Sequence, residues 1–274
     1  SVLISGGNFT SAFNAASANA LSIVAGSPVT FAGDTDLYAR QLLNIQSQSA
    51  TGIVQFGRNL NASTAVTAFG SGENAVGGNL NLLSQNNGRI TVAGNVSLNA
   101  SALGGNNVAT GSVGSGTGGN INVRTLSGGR IDITGNVTAT AEGVAGLTGT
   151  TGIGSNFGRG GTIQFSSLDS NGVLAIGGNL NASANGFGSD DFGTGTGGAA
   201  FGGTIRIGAG GTAATSGNSL SIIGTATLNA EAFGGNSAFG NGGAATGGIA
   251  TFGSGTGGSA SVSGNLHLTA FGFG

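Results

Sequence analysis

The sequence predicts an all-β protein, a parallel β-helix, with three short strands in each repeat of about 42 residues and a glycine-rich insertion between repeats. Three observations support this fold class. One pattern of apolar pairs, glycine-rich turns and an Asn recurs along the chain. Apolar residues alternate with polar ones at period two, which is the signal of strands. No stretch shows a sustained helical period, so almost no helix is expected.

The register of the repeat is set by a turn Asn. This position recurs at intervals of 36, 41, 43, 46 and 40 residues, with Thr225 replacing Asn in one copy. We predict that the Asn side chains stack at an inward corner and satisfy their amides from coil to coil; exposed turn residues are the alternative. The predicted structural ladder comprises Asn59, Asn95, Asn136, Asn179 and Asn265.

The apolar residues keep fixed offsets from the turn Asn. In the copy around Asn136, Ile131 and Ile133 precede it, and Val137 and Ala139 follow it, at alternating positions. β-branched residues at such positions favour strands. Stacked copies would place like positions above each other at about 4.8 Å, in parallel sheets around an apolar interior, with either handedness.

The chain divides into a less regular start and a repetitive body. Residues 1–40 are predicted to form an irregular N-terminal coil or cap, and residues 41–274 the repetitive β-solenoid, as one continuous domain with 1–40. The chain starts at Ser1 and stops inside a copy of the pattern, so we expect a segment of a longer protein.

The insertions at 101–118, 142–160 and 185–202 are rich in glycine. Each insertion either loops outward or forms thin strands of its own, which would add a second layer or a second coil to each repeat. Because long unstructured loops are uncommon and these recur regularly, ordered stacking is favoured.

Phe-Gly dipeptides mark the insertions. The favoured interpretation is that each Phe packs an insertion against its own coil. The alternative is a stripe of aromatic side chains through which protomers associate, because regular apolar patches on an outer face mark interaction sites. The stripe comprises Phe69, Phe157, Phe187, Phe192, Phe201, Phe233 and Phe239.

Composition argues against several function classes. Charged residues are 6% of the chain and the net charge is −2, so binding to nucleic acid is not expected. The chain has no Cys, hence no disulfide and no thiolate metal site. No apolar run reaches the length of about 18 residues that a membrane helix needs, so membrane insertion is not expected.

Few side chains are candidates for chemistry. No carboxylate pair suited to acid–base catalysis is visible, so we predict no catalytic residues and no enzymatic activity. Asp190 and Asp191 are a candidate calcium site in a loop, with a solvated turn as the alternative; no other cofactor is expected.

Small polar residues stand two places after the turn position and are expected to face outward. A flat row of this kind suggests an alternative function, an ice- or carbohydrate-binding solenoid, and a polysaccharide-active enzyme is a third and less favoured alternative. The row comprises Ser97, Thr138, Asn181, Thr227 and His267.

Two recurring blocks carry a family resemblance: Gly-Gly-Asn-hydrophobic-x-hydrophobic, as at 77–82, and Gly-Asn-Val-x-Leu-x-Ala, as at 94–100. Both resemble the β-helical shafts of filamentous-haemagglutinin-type exoproteins and autotransporter passengers of Gram-negative bacteria. The resemblance covers residues 41–274 and rests on the style of the repeat. It implies a secreted or cell-surface adhesin or fibre. We therefore expect a non-enzymatic shaft for adhesion, matrix or filament assembly. Its expected partners are further copies of itself, head to tail or side by side, and host or surface glycans.

Overall fold

The computed structural model describes residues 2–106, 113–147, 156–192, 195–210 and 217–274. Parts of the three insertions named above lie outside these described residues. Within them every regular element is a strand, and the strands stack into parallel sheets. The predicted fold class, a parallel β-helix, is therefore confirmed.

The described strands follow one another in eight coils. The first two coils have three strands each: β1 (Val2–Ile4), β2 (Gly7–Phe9), β3 (Phe13–Ser17); β4 (Ala20–Ala25), β5 (Val29–Phe31), β6 (Thr35–Ala39). The third and fourth coils have five: β7 (Leu42–Ser47), β8 (Ile53–Phe56), β9 (Leu60–Ser63), β10 (Val66–Thr67), β11 (Ala75–Val76); β12 (Asn79–Ser84), β13 (Arg89–Val92), β14 (Val96–Asn99), β15 (Ala102–Leu103), β16 (Gly116–Thr117).

The remaining coils continue this order. The fifth and sixth coils are β17 (Asn120–Thr125), β18 (Arg130–Ile133), β19 (Val137–Thr140), β20 (Gly143–Val144), β21 (Gly158–Arg159); β22 (Thr162–Ser167), β23 (Val173–Ile176), β24 (Leu180–Ser183), β25 (Gly186–Phe187), β26 (Ala200–Phe201). The seventh and eighth are β27 (Thr204–Ala209), β28 (Asn218–Ile222), β29 (Ala226–Asn229), β30 (Ala232–Phe233), β31 (Ala245–Thr246); β32 (Ile249–Ser254), β33 (Gly258–Val262), β34 (Leu266–Thr269), β35 (Gly272–Phe273).

Three eight-stranded parallel sheets enclose the core. The first sheet has the order β1-β4-β7-β12-β17-β22-β27-β32, the second β2-β5-β8-β13-β18-β23-β28-β33, and the third β3-β6-β9-β14-β19-β24-β29-β34. Each repeat therefore contributes one coil. At a spacing of about 4.8 Å, eight stacked strands give a shaft about 34 Å long.

The core is built from the predicted inward positions. Ile131 is fully buried and lies in register between Ile90 and Leu174 of the neighbouring coils. Val137 and Ala139 of the third sheet are equally buried. Because like residues stack above like, the interior is a set of aliphatic columns that run along the shaft, and each coil buries its apolar side only against its neighbours.

Residues 2–39, which the sequence sets apart as an irregular coil or cap, form two coils that pair in register with the rest of the shaft. They differ in having no insertion. Their core combines aliphatic side chains, such as the fully buried Leu21 and Ile23, with an aromatic column: the rings of Phe9, Phe31 and Phe56 stack at centroid distances of 4.9 and 5.1 Å. Stacked rings one coil apart fill this end of the second sheet as the aliphatic columns fill the middle.

The described parts of the insertions form a second, thinner layer, here named the glycine lobe. Its outgoing sheet has the order β10-β15-β20-β25-β30-β35 and its returning sheet β11-β16-β21-β26-β31. Ordered stacking, the favoured alternative, is thus what the described parts adopt. In each lobed coil the chain leaves the third sheet, runs out along one sheet and comes back along the other.

The two lobe sheets approach each other more closely than side chains allow. A Cβ atom placed on Gly158 would lie 2.0 Å from the carbonyl oxygen of Phe187, and one on Gly116 would lie 2.0 Å from that of Val144. Ordinary sheets pack about 10 Å apart because side chains separate them. The glycine content of the insertions therefore reflects backbone-to-backbone packing.

A Gly-Gly pair closes each lobed coil at the base of the lobe. Gly161 donates its N–H to the carbonyl of Ala141 at 2.6 Å, and Gly119 and Gly203 make the same bond to Ala100 and Ala184 at 2.7 Å. These bonds join the end of the third sheet to the start of the next first-sheet strand. The core is thereby sealed from the lobe.

Candidate functional site

The corner Asn side chains link neighbouring coils. Oδ1 of Asn59 accepts the backbone N–H of Asn95 at 2.8 Å, and Oδ1 of Asn95 accepts that of Asn136 at 2.9 Å. Asn136 and Asn179 continue the series to the N–H groups of Asn179 and Thr225, both at 2.8 Å. Each side chain thus satisfies a backbone donor at the turn of the next coil.

The sequence predicted that these corner residues point inward, and that prediction is wrong. Asn95, Asn136 and Asn179 are exposed, with their side chains directed along the shaft to the neighbouring turn. The apolar columns on either side of the corner leave no room in the core for an amide. Asn265 makes no side-chain hydrogen bond to another described residue, and the residue that pairs with its position, Thr225, has no amide oxygen to offer its N–H.

Asp34 extends the ladder toward the N-terminus, and the sequence analysis missed it. Its Oδ1 accepts the N–H of Asn59 at 3.2 Å and the amide nitrogen of Asn59 at 3.0 Å. The signal was present as an acidic residue 25 positions before Asn59. The recurrence of the corner residue could not be recognised at Asp34, because the coils without an insertion are shorter than the repeat interval.

A buried column of hydroxyls was also missed. Ser47, Ser84, Thr125 and Ser167 end successive first-sheet strands and are fully buried. The hydroxyl of Ser84 donates to the carbonyl of Gly88 at 2.6 Å and accepts the N–H of Arg130 at 3.1 Å. These bonds satisfy the corner between the first and second sheets. The signal was a Ser or Thr two places after the last inward apolar residue, on the same face.

The outward polar row lies in register on the third sheet. Ser97, Thr138, Asn181, Thr227 and His267 pair in that order across β14, β19, β24, β29 and β34. A second outward row runs beside it. That row comprises Ser63, Asn99, Thr140, Ser183, Asn229 and Thr269. Together they give the third sheet a flat face of small polar side chains.

The seven predicted stripe residues divide among three places. Phe187 and Phe233 stack on the outer side of the outgoing lobe sheet at 5.2 Å, and Phe273 extends this column at 5.3 Å. Phe157 and Phe201 contact each other beside the returning sheet, 6.2 Å apart. The other three lie exposed in segments that connect the lobe strands: Phe69, Phe192 and Phe239. They do not form one stripe because the two lobe sheets face in opposite directions.

Arg159 gives the returning side of the lobe its charge. Its guanidinium lies 4.9 Å from the ring centroid of Phe201 and 5.7 Å from that of Phe157. A cation over aromatic faces at this distance is stabilised by the ring quadrupole. The Gly-Gly pairs form the floor of a groove between the first sheet and the lobe, and Arg159 also lines this groove.

Asp190 and Asp191, the candidate calcium residues, differ in their surroundings. Oδ1 of Asp190 accepts the N–H and the amide nitrogen of Asn236 at 2.8 and 3.2 Å, in the same manner as the corner ladder. Asp191 is 1% exposed, and its backbone pairs with the next coil. Across the described ranges, no three His, Cys, Asp or Glu side chains gather as a metal site.

Comparisons with known proteins found nothing similar: no family model, no curated protein and no solved structure matches the chain. In the part of the chain that the structure describes, no helix is long and apolar enough to cross a membrane.

Proposed function

We propose that the chain is a non-enzymatic structural protein, a β-solenoid shaft of the cell surface or extracellular space that serves adhesion, matrix or filament assembly by coil stacking. The observation that carries the proposal is the stack itself: three eight-stranded parallel sheets pair in register around one apolar core, and each coil buries its apolar side only against its neighbours. The stacked rings of Phe187 and Phe233 on the outgoing lobe sheet give such shafts a repeating apolar surface for lateral association. The cellular location rests on the resemblance of the repeat to exoprotein shafts.

The charge pattern supports association of such shafts. Charged residues are 6% of the chain, and the net charge is −2. Little electrostatic repulsion therefore opposes the approach of a second copy.

The test compares two substitutions at outward positions. Phe233→Ser removes a ring from the middle of the aromatic column of the outgoing lobe sheet, and Ser97→Ala changes an exposed side chain of the third sheet. Sedimentation velocity across a range of concentrations, with negative-stain images, measures association. We expect concentration-dependent lateral association for the unmodified chain and for Ser97→Ala, and monomers of about 34 Å for Phe233→Ser.

Two results would count against the proposal. A chain that stays monomeric at every concentration has no self-association to explain. If Phe233→Ser associates as the unmodified chain does, the aromatic column is not the interface.

The flat polar face of the third sheet favours a second candidate function, ice or carbohydrate binding, because its outward residues repeat in register at the coil spacing. Thr138→Arg would interrupt the row at its middle. Loss of thermal hysteresis or glycan binding in this variant, with unchanged sedimentation, would separate this function from the structural one.

A further inference from the structure

A cleft of about 510 Å³ lies on the outer face of the third sheet, across its first four coils. Its volume falls within the range of about 300–1,000 Å³ that is usual for small-molecule sites. The cleft lies outside the glycine lobe. Its polar lining comprises Asn14, Asp36, Tyr38, Asn61, Ser63, Ser97 and Asn99.

The cleft forms where the shaft changes its cross-section. The first two coils have no insertion, whereas the third coil turns away from the core at β10, directly after Ser63. Tyr38 lies on the second coil, and its hydroxyl reaches toward the carbonyl of Ala65 at 3.4 Å, at the start of the lobe. The ring thus spans the step, with 41% of the residue exposed to solvent.

The opposite side of the cleft is a prearranged polar group. Oδ1 of Asp36 accepts the amide nitrogen of Asn61 at 2.7 Å, and the amide of Asn14, turned so that its nitrogen faces the carboxylate, donates to Oδ2 at 2.9 Å. The three residues pair in register across β3, β6 and β9, and all are exposed. Each carboxylate oxygen keeps accepting capacity and each amide keeps its oxygen, so hydroxyl donors from a ligand can bind without rearranging the group.

The charge of the cleft lining restricts the class of ligand that can bind. Asp36 is the charged side chain in the described lining, and no Arg contributes to it. A carboxylate flanked by neutral amides attracts hydroxyl groups and repels anions. The adjacent Tyr38 ring offers a flat apolar surface with a polar edge, which suits the C–H face of a sugar ring.

We propose that this cleft binds a neutral carbohydrate. The ring of Tyr38 packs against the face of one sugar, while Asp36 and Asn61 hold its hydroxyl groups. The proposal rests on the second candidate function, carbohydrate binding at the third sheet, and assigns it to this cleft, which uses exposed outward residues and no residue of the aromatic column.

Composition supplies a probe at the site itself. Tyr38 is the single Tyr of the chain, and the chain has no Trp. Intrinsic tyrosine emission therefore reports on this one residue. Titration with cellohexaose, maltohexaose and chitohexaose is expected to give a saturable change in emission for at least one of them, and oligogalacturonate of similar length is expected to give none.

The chain also offers a matched control. Asn122 lies on the outer face of the first sheet and, like Asn61, donates its amide nitrogen to a side chain of the preceding coil, Oδ1 of Asn81 at 3.0 Å. Asn61→Ala is expected to lower the affinity for the bound oligosaccharide about tenfold, the equivalent of one hydrogen bond. Asn122→Ala is expected to leave it unchanged. Both variants keep Tyr38 as the reporter, and circular dichroism checks that both fold.

The proposal is overturned if none of the three oligosaccharides changes the emission, or if Asn61→Ala and Asn122→Ala have equal effects. Tyr38→Ala, measured by affinity electrophoresis in gels that contain the matching polysaccharide, is expected to abolish retardation; persistent retardation also overturns it. Sedimentation of Asn61→Ala is expected to match the unmodified chain, so the carbohydrate site and the self-association can fail independently.

Discussion

The three-sided core and the glycine lobe are stacked by the same backbone hydrogen bonds but filled in opposite ways. In the core, columns such as Ile90, Ile131 and Leu174 occupy the interior with side chains. In the lobe, Gly116 and Gly158 let two backbones meet with nothing between them. One layer is held by side-chain volume, and the other exists because that volume is missing.

A change of side-chain volume therefore has opposite consequences in the two layers. Removing atoms from the core leaves a cavity, whereas adding atoms to the lobe forces two backbones apart. The glycine-rich composition of the insertions is therefore required by packing and does not indicate a flexible linker. Each prediction below changes side-chain volume or a single hydrogen bond in one layer or at the corner between coils.

The largest effect is expected in the core. Ile131→Ala removes a fully buried side chain between two aliphatic neighbours, and it should lower the free energy of unfolding by about 2–5 kcal/mol. Ser97→Ala, an exposed position on the third sheet, is the control and should change it by less than about 0.5 kcal/mol. Guanidinium unfolding followed by circular dichroism measures both. Similar midpoints for the two variants would mean that the core columns do not hold the shaft.

An intermediate effect is expected in the lobe. Gly158→Ala would bring a Cβ within 2.0 Å of the carbonyl oxygen of Phe187, so we expect a loss of about 1–3 kcal/mol. Gly253→Ala is the matched control, because Gly253 is also a strand residue but no atom lies within 4 Å of its added Cβ.

Hydrogen exchange shows which strands lose stability in Gly158→Ala. In Gly158→Ala, amides of β20, β21 and β25 should lose protection while those of β18 and β19 keep it, since the lobe opens as a local unit. Equal loss in both layers would show that the lobe and the core unfold together. A neutral Gly158→Ala would contradict the close packing itself.

Sequence reasoning reached the core because its signal is local. The period-two alternation around Asn136 assigns Ile131 and Val137 to the interior, and both are fully buried. The lobe was harder: its Gly residues carry no alternation, so its ordered stacking was one of two alternatives. The close approach of Gly158 to the next coil follows from a partner 29 residues away, which no local pattern reveals.

The candidate sites were harder still. The Tyr38 cleft depends on two coils that lack the insertion and therefore fall outside the repeat interval. Its polar group joins three strands whose spacing, 25 residues between Asp36 and Asn61, differs from that of the later copies. The outward direction of the corner Asn was missed for a related reason: the sequence gives the recurrence of a turn residue but not the side of the turn on which its amide lies.

The smallest effect is expected at the corner between coils, where neither volume nor close approach is at stake. Asn136→Ala removes the oxygen that accepts the N–H of Asn179, and because that N–H can turn to water the loss should be about 0.5–1 kcal/mol. Thr225→Ala changes the same corner in a copy whose side chain bonds to no described residue, and it should be neutral. Unfolding midpoints that rank Asn136→Ala below Thr225→Ala would assign the recurring Asn a structural role in the stack. Equal midpoints would mean that the hydrogen bond along the shaft contributes nothing to stability. The recurrence of Asn would then be explained by the turn conformation alone.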